Sequence, residues 1–281
     1  MDIVLHEEHA RLKEAQSAAL ERLSTLLCAY DDMILQQKPR LEAKYMEAFG
    51  ALEQACYAAF VQSSELRRRI ALTRAYLNRG AEPDAAEMDA QIAKEFREYE
   101  EKLRNMEKER ARAAQILKGK RMSDEDAKRF KHLYRQIAKR VHSDLHPERT
   151  DEMKRLWNQV TAAYALGDLE RLEILVAIVE SKCAVKDAEA GEEQNPVTDS
   201  AIEAMRAQIT KTEEQITKCV AALEGIEKEH PFKFVDLLKN PAAIDERKRE
   251  LKNQIAQYQM GSEELEMQLA MLMRGRAEVV H

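Results

Sequence analysis

Between Lys128 and Val141 the chain carries Lys128, Arg129, Lys131, Arg135, Lys139 and Arg140 with no acidic residue among them, and it runs directly into His142-Ser143-Asp144. Cations beside an imidazole and a carboxylate admit several chemistries. A basic face beside two titratable side chains reads as a functional surface more readily than a charge run alone does. The spacing His142-x-Asp144-x-His146 can hold a metal, since imidazole and carboxylate both suit zinc. No fourth ligand is identifiable, however, and no metal is expected. The remaining reading is a solvated basic face followed by a turn, with His142 packed on the helices and Asp144 satisfying loop N–H groups. Catalysis by the chain itself is not expected, because no cysteine lies near a plausible histidine in sequence. The flanking segments hold no glycine-rich phosphate loop, nucleophile elbow or cysteine-rich zinc pattern, so neither an enzyme nor a cofactor is read.

Placing such a group requires a helix ending at His142 and a second surface that fixes the turn. Ser123 with Asp126 resembles a capping box, and it opens a helix in which Phe130, Leu133, Tyr134, Ile137, Ala138 and Val141 recur at spacings of three and four. One face packs and the other is strongly positive. Thr150 caps a second helix, "DEMKRLWNQVTAAYAL", with Asp151 and Glu152 placed favourably at its positive end. Its inward residues would be Met153, Leu156, Trp157, Val160, Ala163 and Tyr164. Gly167-Asp168 ends that helix and caps a third, whose Leu169, Leu172, Leu175, Ile178 and Val179 supply another apolar face. Three short helices around Trp157 then make a small core. The loop from His142 to Arg149 is expected to lie exposed between the first two.

These residues carry a family resemblance. A helix reading "YRQIAKRVH", then "SD", a short loop with proline, and a helix reading "WNQVTAAY" resembles the centre of a J-domain, the module by which J-proteins engage DnaK-type chaperones. Tyr134, His142, Asp144, Trp157, Val160, Ala163 and Tyr164 stand at the family's pattern positions, over roughly residues 120 to 182. The resemblance implies that Lys131, Arg135, Lys139 and Arg140 dock on an acidic chaperone surface and that His142, Ser143 and Asp144 act at its ATPase. Ser143 replaces the proline of the family's His-Pro-Asp tripeptide, which frees φ and adds a backbone N–H and a hydroxyl. The family's usual first helix, with its leading tyrosine-glycine signature, is missing, and the closing helix also differs. The tripeptide therefore reads either as a working trigger or as a relic.

Outside this segment the apolar positions form long seams. Leu12, Ala15, Ala19, Leu23, Leu26, Tyr30 and Met33 make one stripe, broken at Lys38-Pro39, and Leu41, Tyr45, Ala48, Leu52, Cys56, Ala59, Leu66, Ile70 and Leu77 make a second. It stops at "NRGAEPD", where Gly80 can take the left-handed position and Asp84 can cap the next helix. Ile92, Phe96, Tyr99, Leu103, Met106, Ala113 and Leu117 form a third stripe. In the last third, Ile202, Met205, Ile209, Thr212, Ile216, Cys219, Leu223 and Ile226, then Leu251, Ile255, Tyr258, Leu265, Leu269 and Leu272, keep the same spacing. Pro231, Phe232, Phe234 and Leu237 between them mark an ordered corner. Seams this narrow are buried only against a partner helix.

The composition agrees. Aromatics are 5% and charged residues 34%, a balance of long helices rather than a thick globular core, and the 12 methionines can fill irregular gaps in the seams. With 45 basic and 51 acidic residues the net charge is -6, so nothing holds the whole molecule on nucleic acid or anionic lipid. "KGKRM" before the basic helix raises nucleic-acid binding as a local option, but acidic flanks and the lack of interleaved aromatics argue against it. Cys28, Cys56, Cys183 and Cys219 form no C-x-x-C pair and read as reduced thiols.

The expectation is thus an all-α protein with long antiparallel coiled-coil hairpins flanking a small J-like module. A helical arm over 1–120, the module over 121–182, an acidic linker over 183–200 and a second hairpin over 201–281 are expected. The implied function is a non-enzymatic co-chaperone or regulator that contacts a DnaK-type chaperone, with arms for an unknown client or for spacing. The alternative is a coiled-coil scaffold with a degenerate module. A cytoplasmic protein without a membrane partner is expected. The seams leave homo-oligomerisation open.

Overall fold

The computed structural model describes residues 2–119, 122–146, 148, 150–189 and 198–277. The fold is all-α, with no strand among the described residues. The α-helices are α1 (Asp2–Asp32), α2 (Lys38–Tyr45), α3 (Ala51–Asn78), α4 (Ala85–Lys118), α5 (Asp124–Val141), α6 (Asp151–Leu166), α7 (Leu169–Glu189), α8 (Asp199–Lys228), α9 (Val235–Lys239) and α10 (Pro241–Ala277). No described helix is long and apolar enough to cross a membrane.

The chain divides into two compact units, each assembled from two separate stretches. One comprises Met1–Pro39 with Lys120–Lys233, the other Arg40–Gly119 with Phe234–His281. This differs from the consecutive segments expected. In the first unit α1 packs on α8: Leu23 and Leu27 cluster with Ile216 and Cys219, and Arg206 pairs with Glu8. Residue numbers rise together along both helices, so they run parallel. In the second unit α3 packs on α10, where Cys56 donates to Gln254 at 3.6 Å and the rings of Phe60 and Tyr258 lie 5.8 Å apart, again in parallel order. α8 and α10, expected as the two arms of a C-terminal hairpin, fall in different units.

α3 and α4 run antiparallel, with Arg110 bonded to Gln54 at 2.6 Å, the rings of Tyr57 and Tyr99 6.5 Å apart and Arg68 paired with Glu95 at 2.7 Å. The turn between them uses Gly80 at φ 70° and Asp84, whose carboxylate accepts from Ala86 N at 2.9 Å. A seam at three-four spacing specifies that a partner exists, but neither which helix it is nor its direction, and that is why the other pairings differ.

Lys38-Pro39, read as a break, lies inside helix. The preceding turn, Met33–Gln37, is π-helical, and Lys38 N–H donates to Met33 O. Proline lacks an N–H and its ring collides with the carbonyl four residues back, so a locally wider turn carries the chain past it. The corner after α8 is ordered: Phe234, Leu237 and Leu238 pack around Tyr45, Phe49 and Leu251. α7 continues to Glu189, into the stretch expected as linker, because its Ala, Lys and Glu residues favour helix. Residues 190–197 of that stretch lie outside the described residues.

α5, α6 and α7 enclose the central core of the first unit. Phe130, Tyr134, Ile137, Ala138 and Val141 meet Leu156, Trp157, Val160, Ala163 and Tyr164, with Leu172, Leu175, Val176 and Val179 beneath. Ile178, expected inside, is 37% exposed, and Val176 takes its place. The caps are those read from sequence: Ser123 accepts from Asp126 N at 3.0 Å, Thr150 from Met153 N at 3.4 Å, and Gly167 turns the chain at φ 69°.

Candidate functional site

α5 packs with its apolar stripe inward, which places Lys131 and Lys139 on a flank. That flank lies against α1. Lys131 Nζ bonds Asp32 Oδ2 at 2.9 Å and Lys139 Nζ reaches Glu21 at 2.7 Å. Arg135 lines a cavity of about 220 Å³ together with Cys28, Asp32, Lys131, Tyr134 and Tyr164. Arg140 lies on the exposed side of α5.

Two tyrosines reach through the core to consecutive aspartates of α1. Tyr134 OH donates to Asp31 Oδ2 at 2.7 Å, and Tyr164 OH donates to Asp32 Oδ1 at 2.8 Å. Their rings stack with centroids 3.9 Å apart, and Phe130 stacks on Tyr164 at 4.7 Å. Burial, then the adjacent carboxylates, raises both phenols far above their ordinary pKa, so they act as donors throughout the physiological range. For Asp32 the largest single influence is burial, which opposes ionisation. The hydrogen bonds from Lys131, Gln37 and Tyr164 outweigh it, and its pKa falls below the ordinary carboxylate value.

His142 ends α5 in extended conformation, its N–H donating to Ala138 O at 2.9 Å. The expected exposure of the loop does not hold here: His142 is only 4% exposed. Its ring lies edge-on to Trp157, with centroids 4.6 Å apart. Nδ1 accepts the Asp144 N–H at 3.1 Å, and Nε2 lies 3.5 Å from Asp31 Oδ2. An accepting Nδ1 puts the proton of the neutral ring on Nε2, facing Asp31. The ring lies between Trp157 of α6 and Asp31 of α1, and a local reading of the loop contains neither.

Ser143 is half-buried in the turn and Asp144 is exposed. Asp144 borders a groove of about 340 Å³ between α1 and α8, lined by Leu23, Leu27, Tyr30 and Cys219. Leu145 packs on the same apolar cluster. His146 N–H donates to His142 O at 2.9 Å, and His146 Nε2 lies 2.7 Å from Lys139 O. Pro147 and Arg149, expected in this loop, lie outside the described residues. His142 and His146 thus face different partners, and no group of three potential ligands among the described residues could hold a metal ion.

Comparisons with protein-family models, curated proteins and solved structures return no match. The site is therefore read from its own geometry. The structure brings Lys131, Arg135, Lys139 and His142 onto one side of α5, and it sets Asp144 at the rim. Sequence reasoning missed Glu21, Cys28, Asp31 and Asp32, the side that α1 contributes. Asp31 and Asp32 fall at the two positions between the seam residues Tyr30 and Met33, where facing solvent is the ordinary reading, so the sequence carries no local signal of their role.

Cys28 is enclosed in this site. Burial, reinforced by the charge of Asp31, pushes its thiol up to about 11 despite opposition from Arg135 and Lys139. At pH 8 its alkylation in the folded protein should run roughly a hundredfold slower than in the denatured chain, because the thiolate is the reacting species. Peptide mass mapping after timed iodoacetamide treatment checks this; equal rates in the two states would contradict the burial.

Proposed function

We propose that this chain is a non-enzymatic J-like co-chaperone or regulator that contacts a DnaK-type chaperone in the cytoplasm. The basic face of α5 makes the encounter, and the His142-Ser143-Asp144 turn acts at the partner's ATPase. The long helices hold a client or set spacing. The observation that carries this reading is the position of His142 at the C-terminal end of basic α5, followed at once by an exposed Asp144 in a turn closed by its own hydrogen bonds. Concentrated positive charge beside a few fixed polar groups suits capture of an acidic protein surface.

A second reading is favoured by the burial of His142. On that reading the module is a packing element of a coiled-coil scaffold, and the imidazole is simply a satisfied core group between Trp157 and Asp31. Single-turnover ATP hydrolysis by a DnaK-type chaperone from the same cell separates the two. Acceleration by the native chain or by Ser143→Pro, lost in His142→Gln, is the expected result. Absence of both acceleration and binding, in the native chain and in Ser143→Pro, leaves the scaffold.

A further inference from the structure

We propose that the second half of α1 is a built-in acidic mask over the α5 docking face, so that the chain is held closed until α1 is displaced. This rests on the co-chaperone reading and adds its regulation.

The groups that would meet an acidic partner already meet one inside the molecule. Asp32 holds Lys131, Glu21 holds Lys139, and Asp31 faces the Nε2 of His142 while accepting the hydroxyl of Tyr134. The contacts extend over roughly two turns of α5. They are not scattered surface pairs. Asp32 is 8% exposed and takes three donors, from Lys131, Gln37 and Tyr164, so α1 is fixed against α5 at one point by a satisfied polar cluster. Further along, the Lys139–Glu21 pair is open to water, with side chains 48% and 60% exposed, and an exposed pair of this kind is weak. The mask is therefore firm at Asp32 and loose at Glu21.

An acidic protein surface can compete first for Lys139 and then for the groups under Asp31. Asp144, exposed at the rim, stays available to touch the partner before α1 moves. A protein whose competent state is a minor fraction binds with an affinity reduced by that fraction, so weakening the mask should tighten binding without adding any contact.

The test uses the full-length chain carrying Glu21→Lys with Asp31→Asn, and a second variant with Glu21→Lys alone, which alters only an exposed pair. Diethyl pyrocarbonate modification of His142, followed by peptide mass, reports unmasking without any chaperone. Affinity for the purified DnaK-type chaperone, with its single-turnover hydrolysis, reports docking. The expected result is faster modification of His142 and an apparent affinity tighter by on the order of tenfold in the double variant, with a smaller change in the same direction for Glu21→Lys. If His142 becomes reactive while the chaperone binds native and variant chains equally, the mask is refuted and the co-chaperone reading stands. If His142 is unmasked and no chain binds, the underlying reading fails and takes the mask with it. If His142 stays protected at native helix content, the acidic residues do not hold α1 in place and the proposal is overturned. Should the double variant lose helix, Glu21→Lys decides by the same criteria.

Discussion

Replacing Trp157 with alanine should destabilise the module of α5, α6 and α7 by about 3–5 kcal/mol, the range for removing a large aromatic side chain from a packed core. Trp157 is 7% exposed and joins the cluster that includes Tyr134, Val141, Val160 and Leu172. It touches both chemistries of the unit, lying 4.6 Å from the His142 ring and 5.6 Å from that of Tyr134 by centroid. Its loss therefore opens a cavity beneath the turn as well as in the core, and the surrounding helices, fixed by their caps, can collapse only partly. Urea denaturation followed by circular dichroism should show a lower midpoint at unchanged slope, and a loss under about 1 kcal/mol would mean that the helices close over the gap.

Asp32→Ala should cost about 2 kcal/mol at neutral pH. Breaking a fully buried ion pair costs roughly 3–5 kcal/mol, but Lys131 is 51% exposed and regains water when its partner goes, so the smaller figure applies. What remains is the cost of leaving the Tyr164 hydroxyl and the Gln37 amide without their acceptor. The effect has a pH signature. The folded-state pKa of Asp32 is depressed, so its ionised contribution is fully present above the ordinary carboxylate value and is lost as the pH falls through the folded one. The gap between native and Asp32→Ala proteins should therefore be constant from neutral pH down to about 5 and narrow below about 4. Trp157 is the sole tryptophan, so its fluorescence follows this unit directly. A gap independent of pH would assign the effect to packing rather than to charge.

Features written into neighbouring residues were legible in the sequence. Ser123 with Asp126, Thr150 with its acidic first turn, Gly167 and Gly80 with Asp84 each satisfy backbone groups only a few residues away, so a short reading contains both partners. The inward faces of α5 and α6 were equally plain from their spacing. Pairing was not. The stripe of Leu23 and Leu27 requires some apolar partner, and Ile216 with Cys219 satisfies it no better in sequence than a neighbouring helix would. The candidate site was legible on one side only. The cations and the His142 turn stand together in the chain, whereas the carboxylates that answer them, Glu21, Asp31 and Asp32, lie on α1 and were hidden among ordinary seam residues. His142 likewise meets Asp31 of that distant helix as well as Trp157 of α6.

The parallel contact of α1 with α8 has a consequence during synthesis. Leu23 and Leu27 are made long before Ile216 and Cys219, and at roughly 5–20 residues per second that separation is about 10–40 s. For that interval the apolar edge of α1 emerges from the ribosome with its permanent neighbour still unmade. The nascent chain must either shelter that edge against a temporary surface or stay clear of other chains until α8 arrives, so it is most vulnerable to misassociation before its own translation ends.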